Sequence, residues 1–300
     1  RGAVSNGFPA LEAATLQALQ QAIDASFQAF SQRHGAAIEA AFSPLQGLLL
    51  GAEQALLAMP WPLLLALVAA LAWAASRRWG LALGSAATLA LLGLFGLWDD
   101  TLKTLAMVLV ATVLAVAIGL PLGVAMARVP RLQRALNPLL DLMQTLPSFV
   151  YLIPAVMLLG IGRVPGLLAV VVYALPPMVR LTSLGLREVD ADVLEAADAF
   201  GATPWQKLWG VQLPLALPTL MAGINQAIMM ALAMVVVAAM IGVQGLGQPV
   251  LKAINNQYLA MGLFNGLAIV ALAVLFDRIA QAWGWRLQRH RRPRDGIGHG

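Results

Sequence analysis

The chain has 300 residues, 60% of them hydrophobic and 11% charged; soluble domains carry about a quarter charged residues, so this composition belongs to an integral membrane protein. It contains no cysteine, which excludes a disulfide framework, a thiolate nucleophile and a thiolate metal site. The net charge of +5 arises from Lys and Arg set between apolar segments, as in the inner loops of a membrane protein, and nucleic acid need not be invoked as a partner.

Residues 1–58 are too polar to span. Leu16, Leu19, Ile23, Phe27 and Phe30 recur at helical spacing opposite Gln17, Gln20, Gln21, Asp24 and Gln28, which predicts an amphipathic helix lying on the external membrane surface. Packing on other subunits is the competing reading. No basic start precedes an apolar run, so no cleavable leader is expected, although the chain begins at Arg1 rather than Met.

Seven apolar segments follow, at 59–76, 79–98, 102–127, 138–161, 164–186, 214–243 and 261–284, most near the ~20 residues needed to cross hydrocarbon. Arg77 and Arg78, then Arg128, Arg131 and Arg134, then Arg187 and Lys207, then Arg286 through Arg294 fall at alternate ends, which are therefore expected to be cytoplasmic. Seven crossings put the N-terminus, Asp99 and Asp100 outside and the C-terminus inside. The expected organisation is two accessory helices at 59–98, a five-helix core at 99–290 and a basic cytoplasmic tail at 291–300. Gly119 and Pro121, Pro147 and Pro154, Pro176 and Pro177, and Pro214 and Pro218 are expected to break their spans. Breaks in the fourth to sixth spans suggest that those spans line the moving pathway; static kinking is the alternative at each proline.

The polar insert at 188–213, completed by Pro214, reads as two short helices joined by a bend. Asp192 is placed to N-cap the first, with Glu195 three residues on, and Val193, Ala196, Ala197 and Phe200 share one small apolar face. Gly201 stands where a left-handed residue ends the helix. Thr203 then caps a second helix, with Pro204 at its first position and Gln206 reaching back. An elbow with an Ala-rich face outside the membrane suits docking into a partner's groove; an ordinary amphipathic loop is the plain alternative.

Glu195–Ala196–Ala197, Gly201 after three residues, then nine residues, Val211, any residue, Leu213 and Pro214 resemble the EAA loop of ABC importer permeases; Val211 is the one departure, where Ile is usual. The blocks PLLDLMQTLPSFVYLIPAVMLLGIGRVPG, LPPMVRLTSLGLREV and VQLPLALPTLMAGINQAIMMALAMVVVAAMIG extend the likeness from about Gly47 to about Trp283. They are similar to the membrane subunits of glycine betaine and proline betaine importers. The resemblance implies an all-α type I importer permease in which Glu195, Ala196, Ala197, Phe200, Gly201, Leu213 and Pro214 form a coupling helix. It also implies a homodimeric permease in a bacterial inner membrane, two ATPase subunits that bind ATP and Mg, and an external binding protein.

No catalytic constellation is present, no cofactor is expected in this chain, and His34, His290 and His299 sit in terminal segments unsuited to a metal site. GVQGLGQ at 242–248 superficially matches a dinucleotide fingerprint, but no preceding strand or following helix supports it, and a Gly-rich turn is expected. Asp141 and Arg180 lie at similar inferred depth near the cytoplasmic face, where their cost is lowered, and are expected to pair near an inner gate. Asn225 and Gln226 are placed at the midplane, lining the path or bonding between helices; the lack of a midplane carboxylate argues against proton coupling. A quaternary ammonium has no N–H to donate, so recognition would use aromatic faces; Phe149, Tyr151 and Tyr173 are the candidates, against a reading as ordinary packing. The expected function is ATP-driven import of glycine betaine, proline betaine, choline or a relative. A type I permease for another small solute, such as an amino acid or sulfonate, and a secondary carrier are the alternatives.

Overall fold

The computed structural model describes residues 13–289, and among them no strand occurs. The basic tail, His290, His299 and residues 1–12 lie outside the described residues. Twelve α-helices are ordered as α1 (Ala13–Ala58), α2 (Trp61–Ser76), α3 (Trp79–Leu94), α4 (Trp98–Arg128), α5 (Pro130–Thr145), α6 (Leu152–Leu159), α7 (Arg163–Arg187), α8 (Ala191–Ala199), α9 (Pro204–Lys207), α10 (Leu213–Ala238), α11 (Gly247–Asn256) and α12 (Leu259–Arg289). A 3-10 turn at Ser148–Tyr151 joins α5 to α6, a π segment at Leu208–Gln212 joins α9 to α10, and a second 3-10 turn, Ala239–Ile241, ends α10.

The seven expected spans become four helices long and apolar enough to cross a membrane (α4, α7, the run Pro204–Ile241 and Leu259–Gly284), or six if two bent pairs each count as one. At 16 residues each, α2 and α3 are about 24 Å long, short of the ~30 Å hydrocarbon core. Pro60 starts α2 and the left-handed Arg77 stops it. The expected fourth span is two arms, Pro130–Thr145 and Ser148–Leu159, set at 112° where Pro147 interrupts the chain.

Elsewhere the prolines do not break their helices. α4 runs through Pro121, α7 through Pro176 and Pro177, and α10 through Pro218, since neighbouring helices tolerate the missing bonds. The glycines of α4 serve close approach instead. A Cβ on Gly123 would stand 2.5 Å from Thr182 Cβ and 2.7 Å from the Val179 carbonyl, and one on Gly119 would lie 2.9 Å from Met178 Cγ. Four residues apart, they let the backbones of α4 and α7 touch. With α10 against the same α7, these three helices form the centre, filled by Val108, Ala111, Ala115, Val170, Ala174, Ala231 and Val235.

α1 is more than a surface helix. Leu16, Leu19, Ile23 and Phe30 are exposed, but the same helix continues through Pro44 until Leu49 and Glu53 are buried against the core. Pro44 has no N–H for the Ala40 carbonyl, and the Ser43 hydroxyl donates to that carbonyl at 2.9 Å in its place, which lets the helix pass the proline. α1 then meets α2 at 107°.

Candidate functional site

The elbow forms by local chemistry. α8 is capped by Asp190, whose Oδ1 accepts from the Asp192 backbone N–H at 3.0 Å. The expected cap at Asp192 is therefore two residues late: Asp192 lies in the first turn, because α7 ends at Arg187 and α8 already begins at Ala191. At the other end Gly201 has φ +75°. Its N–H donates to the Asp198 carbonyl at 2.9 Å and that of Ala202 to Ala197 at 3.0 Å, the bond pair of a Schellman ending. Thr203 and Gln206 then form a reciprocal capping box with Pro204 at the first position of α9. Lys207 Nζ sits 2.6 Å from Asp198 Oδ1, and Arg128 at the end of α4 donates to the Pro204 carbonyl at 2.9 Å with its guanidinium 5.6 Å from the Trp205 ring.

No residue of α8 is buried, and Glu195, Ala196 and Phe200 are exposed, Phe200 at 93%. Directly after α9, Leu208 is buried against Met178, Leu186 and Ala216, with Leu213 packed on the same cluster. Between them the bonding widens to the π pattern, Leu213 N–H reaching Leu208 O. Pro214 has no N–H with which to keep the α register.

Inside the helices, Arg180 donates to Asp141 across α7 and α5. Tyr151 and Tyr173 meet edge to face with centroids 6.0 Å apart, and the Tyr151 hydroxyl donates to the Met143 carbonyl. Phe149 is 56% exposed. Asn225 Nδ2 donates to Asp277 Oδ1 at 2.7 Å, and Gln281 Nε2 donates to the same carboxylate at 2.8 Å; Gln226 is exposed. The Asn225–Asp277 bond corrects the depths read from sequence, since it sets a carboxylate of α12 level with Asn225 of α10.

Residues 119–289 match the family described as binding-protein-dependent transport system inner membrane component. The chain belongs to that family. It is 49% identical over 241 residues to the glycine betaine/proline betaine transport system permease protein ProW of Escherichia coli (strain K12), covering 80% of this chain and 68% of that one. It is 48% identical over 226 residues to the glycine betaine/carnitine transport permease protein GbuB of Listeria monocytogenes, covering 75% and 80%. Among solved structures, an inward-facing form of the MetNI methionine ABC transporter superposes with a TM-score of 0.55 at 25% identity, over 63% of this chain and 93% of that one. The chain thus has the type I ABC importer permease fold.

In this family member the matched range starts inside α4 and holds the whole elbow. It leaves out α1 to α3, and the joint between the two parts is one that sequence reasoning missed. Arg163, at the start of α7, places Nη1 2.6 Å from Glu53 Oε2 of α1 and Nη2 2.8 Å from Gln244 Oε1. The partners are 110 and 81 residues away, beyond any local pattern. The signal that was available is a Glu, Glu53, beside an apolar run. Gln244 lies in the expected Gly-rich turn, where Gly242 and Gly245 have φ +89° and +127° and Leu246 N–H donates to Thr104 Oγ1 at 2.9 Å. The permease then forms α11 at once, a helix not foreseen there.

Proposed function

We propose that this permease imports a small quaternary amine such as glycine betaine, proline betaine or choline, handed over by an external binding protein and driven by ATP hydrolysis in a partner subunit. The observation that carries the coupling role is the elbow: an ordered, doubly capped bend whose Glu195–Ala196–Ala197 face and Phe200 lie unburied. A small, rigid projection loses little entropy when a partner groove closes on it. The cargo class rests on the relatives, whose names span glycine betaine, proline betaine, carnitine and choline.

In this mechanism two copies of the chain pair, each elbow, with Gly201, Leu213 and Pro214 fixing its pitch, seats in one ATPase subunit, and ATP and Mg are held there. ATP-driven closure of the ATPases draws the elbows together, and the helices they continue into open the opposite side to the binding protein. The elbow end and the C-terminus then face the cytoplasm, as the Arg and Lys distribution implies. The Tyr151–Tyr173 pair offers ring faces to a cation, each worth about 0.5–2 kcal/mol, with Phe149, Asn225 and Gln226 along the same path; the Asp141–Arg180 pair sits toward the elbow end as an inner gate. A binding-protein-dependent family argues against a secondary carrier. The methionine transporter with the same fold keeps open a second reading, an amino-acid cargo.

The deciding experiment is uptake of labelled glycine betaine, choline and proline by transport-deficient cells expressing the chain with its ATPase and binding protein, with and without ATP depletion. ATP-dependent uptake of a quaternary amine that Gly201→Val abolishes is the expected result. Uptake of none of the three by a verified complex would move the cargo to another class.

A further inference from the structure

The elbow end of α7 faces α5 across a cleft of about 300 Å³. Gln133, Asn137 and Asp141 of α5 line it at successive helical turns, opposite Arg180, Ser183 and Arg187 of α7. Two guanidinium groups and one carboxylate give it a net charge of +1. Only part of this chemistry is used within the chain. Asp141 and Arg180 pair with each other, while Arg187 is in none of the ion pairs among the described residues. Arg180 Nε and Ser183 Oγ are buried with no hydrogen-bond partner. Buried donors left unpaired are costly and call for an acceptor, and charged residues within spans ordinarily face a cavity that uses them.

We infer that this α5–α7 cleft is an exit-side binding site for a zwitterion bearing a carboxylate and a quaternary ammonium; the inference rests on the proposed cargo class and narrows it. The carboxylate accepts from Arg187 and Ser183 Oγ, two donors four residues apart on one face of α7, about 6 Å along the helix at 1.5 Å per residue. Asp141 lies at the other end, and a trimethylammonium, having no proton to donate, asks only for nearby negative charge and room. A solute that carries the cation without the acid, such as choline, brings positive charge to a cleft already at +1 and leaves the donors unpaired. The site therefore discriminates by rejection as much as by attraction.

The test uses the complete transporter, this chain with its ATPase, in nanodiscs of zwitterionic lipid. Equilibrium binding of labelled glycine betaine is measured without the external binding protein, beside uptake by the same complex with it. Saturable binding is expected, weakened about tenfold or more by Arg187→Gln, as for loss of one charge-assisted hydrogen bond, weakened less by Ser183→Ala, and not displaced by choline. Ser183→Ala removes a single hydroxyl, so it reports on the site even if Arg187→Gln fails to assemble. Unchanged binding in both variants, or displacement by choline as effective as by glycine betaine, overturns the inference. So does binding that responds only to added anionic lipid, which would assign the cleft to a phosphate head group. Wild-type uptake of glycine betaine with unaltered variants removes this site and leaves the importer reading intact; wild-type uptake of no quaternary amine removes the cargo class and this site together.

Discussion

Asp198 and Lys207 close the elbow from opposite sides of Gly201, with Lys207 Nζ 2.6 and 2.8 Å from the two carboxylate oxygens. Asp198 is exposed and Lys207 half-buried, so Lys207→Ala should change stability by about 1 kcal/mol or less. Because the pair sets the angle between α8 and α9, the same variant should lower cargo-stimulated ATP hydrolysis several-fold. The exchange Asp198→Lys with Lys207→Asp should restore it. ATPase rates in proteoliposomes, read beside thermal unfolding of the purified permease, separate the two effects.

Gly201 has open space around a Cβ and a left-handed φ of +75°. Gly201→Val should thus fail through backbone conformation alone, at about 1–2 kcal/mol or more for a β-branched residue. Gly201→Asn, which visits the left-handed region readily, should retain much of the uptake. Equal loss in both variants would mean that the partner needs the bare surface at this position rather than the bend.

Gly123 presents the reverse case, an ordinary φ with no space. Gly123→Leu should separate α4 from α7 and cost about 1–3 kcal/mol as overpacking. Thr182→Ala should relieve part of that cost in the double variant. The midpoint of thermal unfolding in detergent is the measurement.

Glu53→Ala should leave Arg163 without its carboxylate at a half-buried position and destabilise the protein by roughly 3 kcal/mol. Glu53→Leu combined with Arg163→Met should recover most of that loss, since an apolar pair of similar size can replace a buried ion pair. Protease accessibility of α1 should rise in the single variant and return in the double.

The elbow was legible in the sequence because its determinants act over three to five residues: Gly201, Thr203, Pro204 and Gln206 each fix a local bond or dihedral. Asp141 and Arg180 were legible as partners because charges so placed have few other ways to be neutralised. The Glu53–Arg163–Gln244 joint was not, since it depends on where three distant segments end in space. The span count was not confirmed, for a related reason. Hydropathy reports where a segment is apolar, whereas Pro60, Arg77 and Pro147 decide where each helix stops, and α2, α3 and the α5–α6 bend follow those stops. The Asn225–Asp277 bond shows the same limit, because depth counted along a helix does not register how far one helix slides past another.

From Pro204 to Ile241 the backbone is one uninterrupted helical run of 38 residues, its pitch changing at the π segment Leu208–Gln212 and again at the closing 3-10 turn Ala239–Ile241. No loop separates the part of the chain that lies outside the bundle from the part at its centre. Under the proposed coupling role, such a run acts as a connecting rod that carries a displacement at α9 toward Ala231 and Val235 without a loop to absorb it. The five residues Leu208–Gln212 are then where the stroke is geared, so adding or deleting one residue there would rotate the whole of α10 by about 100° and disconnect the input from the output while leaving both ends intact.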